Sequence, residues 1–385
     1  MNQLDVKKRL GQFYTKSKVS DYICSKLKPG EQSSMIDLCA GDGSLIEPYY
    51  QLLTGERITA CDIDQTNISL LNKRFPEIKA LHTNSTDARK IKHLFKSYDL
   101  AVCNPPFITL KFPMSWNSLL EASFHFSTLK YPAEVLFFLI NMRLLNEEGR
   151  LAIILPDRVL TGSKYYEFRK FIFTTFQICS ITELYSNAFK NTEVKCHVVI
   201  AKKTKPEGST INISKLNENG ALDPTITTNI DDCIERSDYS YHKSILDLCC
   251  KKNSLESIGA SITRGSKCKS AFHREGVRAF HTDSFKAKKQ NGYKNMSVDN
   301  IHKANKGDVL IPRVGTRCLQ NATMVTCNDL VFSDSVYRIR APQEHQNKVW
   351  KFFSSSAGKQ LLVSISKGVS ARFVAKADLL RAQIF

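Results

Sequence analysis

The chain has 385 residues, 42% hydrophobic and 24% charged, with a formal net charge of +18 and a pI near 9.3. That balance fits two soluble globular domains with full cores, and no apolar run reaches the ~20 residues of a membrane helix. The opening MNQLDVKKRLGQFYT has no secretory core, and twelve scattered cysteines without a CxxC pair exclude a disulfide framework and a metal site, so a cytoplasmic protein is expected.

In chain order, apolar runs of strand length alternate with helical periods. Strands are predicted at 35–38, 58–61, 79–82, 100–103, 151–155, 181–184 and 197–201, and helices at 18–27, 44–53, 65–74, 133–145 and 165–176. Such alternation builds a mostly parallel, doubly wound α/β sheet with helices on both faces. Residues 202–228 lose helical period and gain Pro, Gly, Asn and Thr, which marks a strand or two and a linker. Beyond 240 come short strand-like segments at 308–315 and 335–342 and a helix at 348–364. Two domains are expected, 1–225 and a smaller mixed α+β domain at 226–385.

The charge is uneven along the chain. Residues 236–385 carry 26 Lys and Arg against 11 Asp and Glu, whereas residues 1–235 carry 29 against 26. A one-sided basic domain suits a phosphate backbone, through neutralisation and counterion release, better than it suits solubility alone.

Two stretches carry chemistry. MIDLCAGDGSLIEP (35–48) reads as a strand, a glycine turn and a helix, placing Gly41 and Gly43 where doubly wound sheets bind ligands. It lacks the GxGxxG of a pyrophosphate site. Asp62, ending the second strand, stands where an acid grips ribose hydroxyls. With Asp37 and Asp42 nearby, the electrostatics favour a cationic ligand such as S-adenosylmethionine over NAD. The second stretch, YDLAVCNPPF (98–107), ends a central strand in Asn104, Pro105, Pro106 and Phe107. Two prolines stiffen the loop and remove donors. The Asn104 side-chain oxygen and the Pro105 carbonyl then form two acceptors for an amino group, and Phe107 offers a stacking face. Such a site orients an amino-bearing ring for in-line methyl transfer, by positioning and fixed dipoles rather than a covalent nucleophile.

In this order the motifs resemble the gamma-class DNA N6-adenine methyltransferases, from about residue 10 to 203. LGQFYTKSKVSDYI (10–23) resembles motif X, which implies Tyr14 and Thr15 at the methionine end of the cofactor. DLCAGDG resembles motif I, implying cofactor contact from Asp37, Cys39, Ala40, Gly41 and Gly43. CDID resembles motif II, implying Asp62 at the ribose with Ile63 beside it. NPPF resembles motif IV, implying the target amino group at Asn104 and Pro105. FKNTEVKCHVVIAKK (189–203) resembles motif VIII, implying Phe189 on the other face of the flipped base. At motif III the usual acid is absent from LHTNSTDAR, and Asn84 or Asp87 takes its place.

The C-terminal part resembles target-recognition domains, in agreement with the charge count. A duplex buries its bases, so the target must leave the stack, and a basic domain supplies phosphate and base-edge contacts. Arg264, Lys267, Lys269, Arg313, Arg317, Lys367 and Arg372 are the candidates. The resemblance implies a Rossmann-like, S-adenosylmethionine-dependent, adenine-specific methyltransferase acting on double-stranded DNA in a restriction-modification or related system. A monomer, nucleoid-associated through DNA, with any cognate endonuclease encoded separately, is the expected setting. RNA adenine, a protein glutamine amide, N4 of cytosine and an inactive DNA-binding module stay open as alternatives.

Overall fold

The computed structural model describes residues 15–111, 116, 130–189, 194–248, 253–286, 290–294, 301–368 and 372–384. The chain packs as two units, Met1–Tyr239 and Ser240–Phe385.

The first unit is built on a nine-stranded sheet. Its strands are β1 (Met35–Asp37), β2 (Ile58–Asp62), β3 (Lys79–His82), β4 (Tyr98–Cys103), β7 (Leu145–Pro156), β8 (Gln177–Glu183), β9 (Cys196–Lys202), β10 (Thr210–Lys215) and β11 (Ile226–Asn229), in the order β11-β10-β8-β9-β7-β4-β1-β2-β3. The ribbon β5 (Thr109–Lys111) and β6 (Lys130–Pro132) lies outside it. β7, β4, β1, β2 and β3 run parallel, and β9 inserts antiparallel between β7 and β8. Their continuous apolar runs follow from burial on both faces. Side chains alternate along a strand, so Ala101, Leu151, Ile153 and Val199 enter one core while Leu100, Ala152, Ile154 and Val198 enter the other. Helices α1 (Ser17–Leu27) and α2 (Gln65–Arg74) cover the second core; α3 (Ala88–Ile91), α4 (Ala133–Leu144), α5 (Asp157–Thr161) and α6 (Tyr166–Thr175) cover the first.

Three expectations need correction. The helix expected over 44–53 is a single turn, Glu47–Tyr50, whose start is held back to Glu47 because Pro48 has no N–H to return to the preceding turn. The domain division expected after residue 225 falls at Tyr239 instead. The reason is that β11 pairs with β10 and α7 (Ile230–Glu235) is tied back by Arg169, whose buried guanidinium donates to the carbonyls of Ile234 and Glu235 at 2.6 and 2.8 Å.

The second unit contains an antiparallel sheet of β12 (Ser261–Arg264), β17 (Val336–Arg340), β14 (Val309–Pro312) and β15 (Thr323–Met324), with two short ribbons, β13 (Lys303–Ala304) with β16 (Leu330–Val331) and β18 (Ser366–Lys367) with β19 (Phe373–Val374). Here the third correction applies. The helix expected over 348–364 is two helices, α8 (Gln343–Ser354) and α9 (Ser356–Ser364). Ser355 adopts extended backbone and its hydroxyl accepts from the N–H of Gly358, an N-cap that starts the second helix.

Candidate functional site

Strand order reverses around β1: β2 and β3 extend to one side, β4 and β7 to the other. The carboxyl ends of β1 and β4 therefore diverge, and a crevice opens where such sheets bind ligands. Asp37 is in register with Val102, so Asn104 emerges just beyond it. The cavity there is lined by Thr15, Asp37, Cys39, Ala40, Gly41, Asp62, Ile63, Asn84, Asn104 and Pro106 among the expected residues.

Its floor is acidic. Asp37 is fully buried; one carboxylate oxygen accepts the N–H of Cys39 at 3.0 Å, and the other has no hydrogen-bond partner among the described residues. Burial, reinforced by Asp62 and Asp42, pushes its carboxyl up to about 7, against the pull of the Cys39 N–H. Asp62 takes the N–H of Gly41 on one oxygen and that of Asp64 on the other, both at 2.8 Å. A carboxylate has roughly four lone-pair sites, so each oxygen keeps acceptor capacity toward the cavity. Asp64 in turn caps α2 by accepting from Thr66; the spacing DIDQT thus sets both the acid and the helix behind it.

The glycine turn divides its work. Gly41 (φ 56°) lines the cavity, whereas Gly43 does not. Gly43 has φ 81°, and a Cβ there would lie 2.5 Å from the Phe75 ring and 2.9 Å from Leu71. Its side chain is missing so that α2 and the residue after it can pack closely, not to admit a ligand.

Asn104 donates its amide to the Thr15 hydroxyl at 3.3 Å. Thr15 is itself held by a backbone bridge to Phe189, and the next residue, Lys16, donates its N–H to the Ala188 carbonyl at 3.2 Å. This unites the start of the described chain, the end of β4 and the segment after β8. Tyr14 lies outside the described residues.

Four further expected residues stand outside the cavity lining. Phe189 is 2% exposed and packs in the second core, its backbone bridged to Thr15. Asp87 does not line the cavity. Its carboxylate accepts from the Arg89 N–H at the start of α3 and pairs with the Arg89 guanidinium. Asn84 does line the cavity, its side-chain oxygen accepting from the N–H and hydroxyl of Thr86. Pro105 and Phe107 lie outside the lining of this cavity, next in sequence to Asn104 and Pro106, which line it, and Phe107 packs, partly buried, against the second core.

Residues missed in the sequence complete the wall: Leu45, Ile108, Leu110 and Phe137 on the apolar side and Thr83, Ser85 and Thr86 on the polar side. Phe137 carries no readable signal, since α4 is buried nearly all round and no face is marked as distinct. Of the basic residues in the second unit, Arg264 pairs with Asp334 at 2.8 Å, Lys267 with Glu275 at 2.6 Å, Lys367 with Asp378 at 2.9 Å, and Lys269 with Asp283. Arg313 donates to the Asp334 carbonyl at 2.6 Å. Arg317 and Arg372 make no side-chain hydrogen bond or ion pair among the described residues.

The profile of the N-6 DNA Methylase family matches residues 2–258. The chain belongs to the N-6 DNA methylase family. Membership brings S-adenosylmethionine as cofactor, in keeping with the acidic, sheet-edge cavity. The chain is 25% identical over 199 residues to the Type II methyltransferase M.CvrRI of Paramecium bursaria Chlorella virus XZ-6E, a match covering 51% of this chain and 49% of that one. The chain thus matches about half the length of this curated relative. Among solved structures, the Type IIL restriction-modification enzyme MmeI, determined in complex with DNA, superposes with a TM-score of 0.55 at 12% identity, over 94% of this chain and 64% of its own. The type IIG restriction endonuclease BpuSI gives 0.51 at 13% identity, over 99% and 58%. At these identities the likeness establishes the fold. No helix among the described residues is long and apolar enough to cross a membrane.

Proposed function

We propose that the chain transfers the methyl group of S-adenosylmethionine to N6 of an adenine rotated out of duplex DNA, as the modifying activity of a restriction-modification system. The observation that carries this reading is the placement of Asn104, braced by Thr15, on the rim of a cavity floored by Asp37 and Asp62.

The residues present fit the cofactor. The unpartnered, fully buried oxygen of Asp37 suits a cationic amino acid end, and Asp62 suits ribose hydroxyls. Asn84 and the apolar wall of Ile108, Leu110 and Phe137 suit a purine. The bound cofactor supplies an activated methyl whose leaving group is a neutral thioether.

The chain supplies the rest by positioning. The Asn104 nitrogen is held by Thr15, which directs its oxygen to accept one hydrogen of the target amino group, and the Pro105 carbonyl accepts the other. Pro106 keeps this pair rigid and Phe107 offers a ring face. The nitrogen lone pair, otherwise delocalised into the purine, is then turned toward the methyl. With the cofactor bound, that nitrogen would take the methyl group, the neutral thioether would leave, and the amino group would release one proton to solvent. In this setting the enzyme works in the cytoplasm as a monomer, and cleavage belongs to a separately encoded endonuclease.

The test is to incubate the protein with labelled S-adenosylmethionine and unmethylated genomic DNA, digest to nucleosides and identify the labelled product, with Asn104→Ala in parallel. Labelled N6-methyladenine from wild type alone supports the reading. Label in N4-methylcytosine overturns the base assignment, and label absent from DNA but present in RNA or protein overturns the substrate.

A further inference from the structure

The basic residues singled out in the second unit differ in their partners. Arg264, Lys267, Lys269 and Lys367 are each engaged by an acid. Arg317 and Arg372 are not, among the described residues, and both flank one backbone feature. The N–H of Gly315 donates to the Arg372 carbonyl at 2.8 Å, and the N–H of Val374 donates to the Arg313 carbonyl at 2.9 Å. Val314 thereby pairs antiparallel with Phe373. On its other side Phe373 pairs with Lys367 in the ribbon of β18 and β19. Phe373 therefore occupies the middle of three short strands.

Alternation fixes where its ring goes. Val374 is 0% exposed and anchors the strand in the core, so Phe373 faces the other way, and it is 38% exposed. The turn that carries Arg317 outward is built on Gly315, with φ 118° and a would-be Cβ only 2.5 Å from the Cys318 sulfur. An exposed aromatic ring thus stands on a paired ribbon whose chain neighbours Arg372 and Arg317 have no acidic partner among the described residues.

We propose that this ribbon is a DNA-contacting element in which Phe373 packs its ring against a base while Arg317 and Arg372 hold the neighbouring phosphates. The inference rests on the reading of the chain as a DNA-modifying enzyme. Charge decides between partners: two uncompensated guanidinium groups beside an aromatic ring match a polyanion with flat bases, whereas an apolar protein patch would gain nothing from them.

The experiment measures binding of the full-length protein to a labelled duplex across a salt series, with cofactor affinity by calorimetry as the control for folding. Phe373→Ala weakens binding about tenfold at every salt concentration, with the slope unchanged, as expected for a lost ring–base contact. Phe373→Trp restores it. Arg317→Ala and Arg372→Ala each lower the salt slope by about 1, as expected for one phosphate apiece. Wild-type slope and affinity in all of these variants would overturn the ribbon's role and leave the proposed function standing. Self-association that Phe373→Ala abolishes, with DNA affinity intact, would assign the ring to a protein interface instead. A wild-type chain that binds no duplex would overturn both readings.

Discussion

The side-chain amide of Asn104 donates to the hydroxyl of Thr15 at 3.3 Å, joining residues 89 positions apart. An asparagine can present either end of its amide, and only one end accepts hydrogen bonds. The Thr15 hydroxyl occupies the nitrogen and so chooses the orientation. Thr15→Val keeps the shape and removes the acceptor. Turnover should fall about tenfold, the equivalent of one modest hydrogen bond, with melting temperature nearly unchanged, whereas Thr15→Ser retains most activity. Asn104→Ala should cost about 100- to 1,000-fold in turnover, the range for loss of one preorganised group. Single-turnover methylation read beside calorimetric cofactor affinity checks both.

Asp37 gives a pH dependence with a definite sign. Its ordinary value is 3.8 and burial raises it to about 7, so between those limits the folded protein holds a proton the unfolded chain has released. On this group's account stability is greatest below pH 4, falls as pH rises from 4 to 7 and is level above. The whole effect is on the order of a few kcal/mol. Denaturant melts of wild type and Asp37→Asn across that range should show the difference widening in favour of the variant as pH rises. Cofactor affinity of the wild type should move oppositely, strengthening through pH 7 as the carboxylate ionises to meet a cationic ligand.

Gly43 and Gly208 separate two costs of substitution. Both have positive φ, but a Cβ at Gly43 overlaps Phe75 and Leu71 while one at Gly208 meets nothing within 4 Å. Gly208→Ala should lose about 1–2 kcal/mol from backbone strain. Gly43→Ala should lose about 2–4 kcal/mol, because overpacking adds to it. Equal losses in chemical denaturation would show that α2 shifts freely.

The buried ammonium of Lys195 lies 3.3 Å from Asp157, 3.1 Å from Glu183 and 3.2 Å from Asp238. Burial works against its charge, but the three carboxylates outweigh that and raise its affinity for the proton. The carboxylates, also opposed by burial, are held below their ordinary range, with Lys195 prominent among the causes. Lys195→Met leaves them buried without their central partner and should cost about 3–5 kcal/mol at neutral pH. The wild-type advantage is present above the ordinary carboxylate range and disappears as pH falls below about 4 and on through the depressed values. A melting temperature difference that survives acidification would disprove this account.

How much of this was legible depended on whether a feature is local. The strands of the first unit announce themselves because both faces are buried and their residues are apolar without interruption. That Asp62 and Asn104 line the cavity was legible because each stands at or just past the end of such a strand. The break at Ser355 and the shortened turn at Glu47–Tyr50 were also local, written in a cap and a proline that the helical period overrode. The burial of Phe189 was not legible, because it depends on packing and on a backbone bridge to Thr15, distant in sequence. Phe137 and Leu110 line the cavity only through the way α4 and the β5–β6 ribbon dock. The ribbon that exposes Phe373 likewise depends on pairing across the chain.

The carboxylate of Asp62 faces the cavity and also grips the N–H of Gly41, which bears on how such a protein could decay. On the proposed function, Asn104 serves the target base, so a lineage released from selection for methylation can lose it in one step without touching the cavity floor of Asp37 and Asp62. Loss of Asp62 takes away the proposed ribose contact and the hydrogen bond that holds the Gly41 loop in the same stroke. Degenerate descendants of this fold should therefore keep the aspartate long after the asparagine has drifted, leaving cofactor-binding proteins that no longer transfer a methyl group.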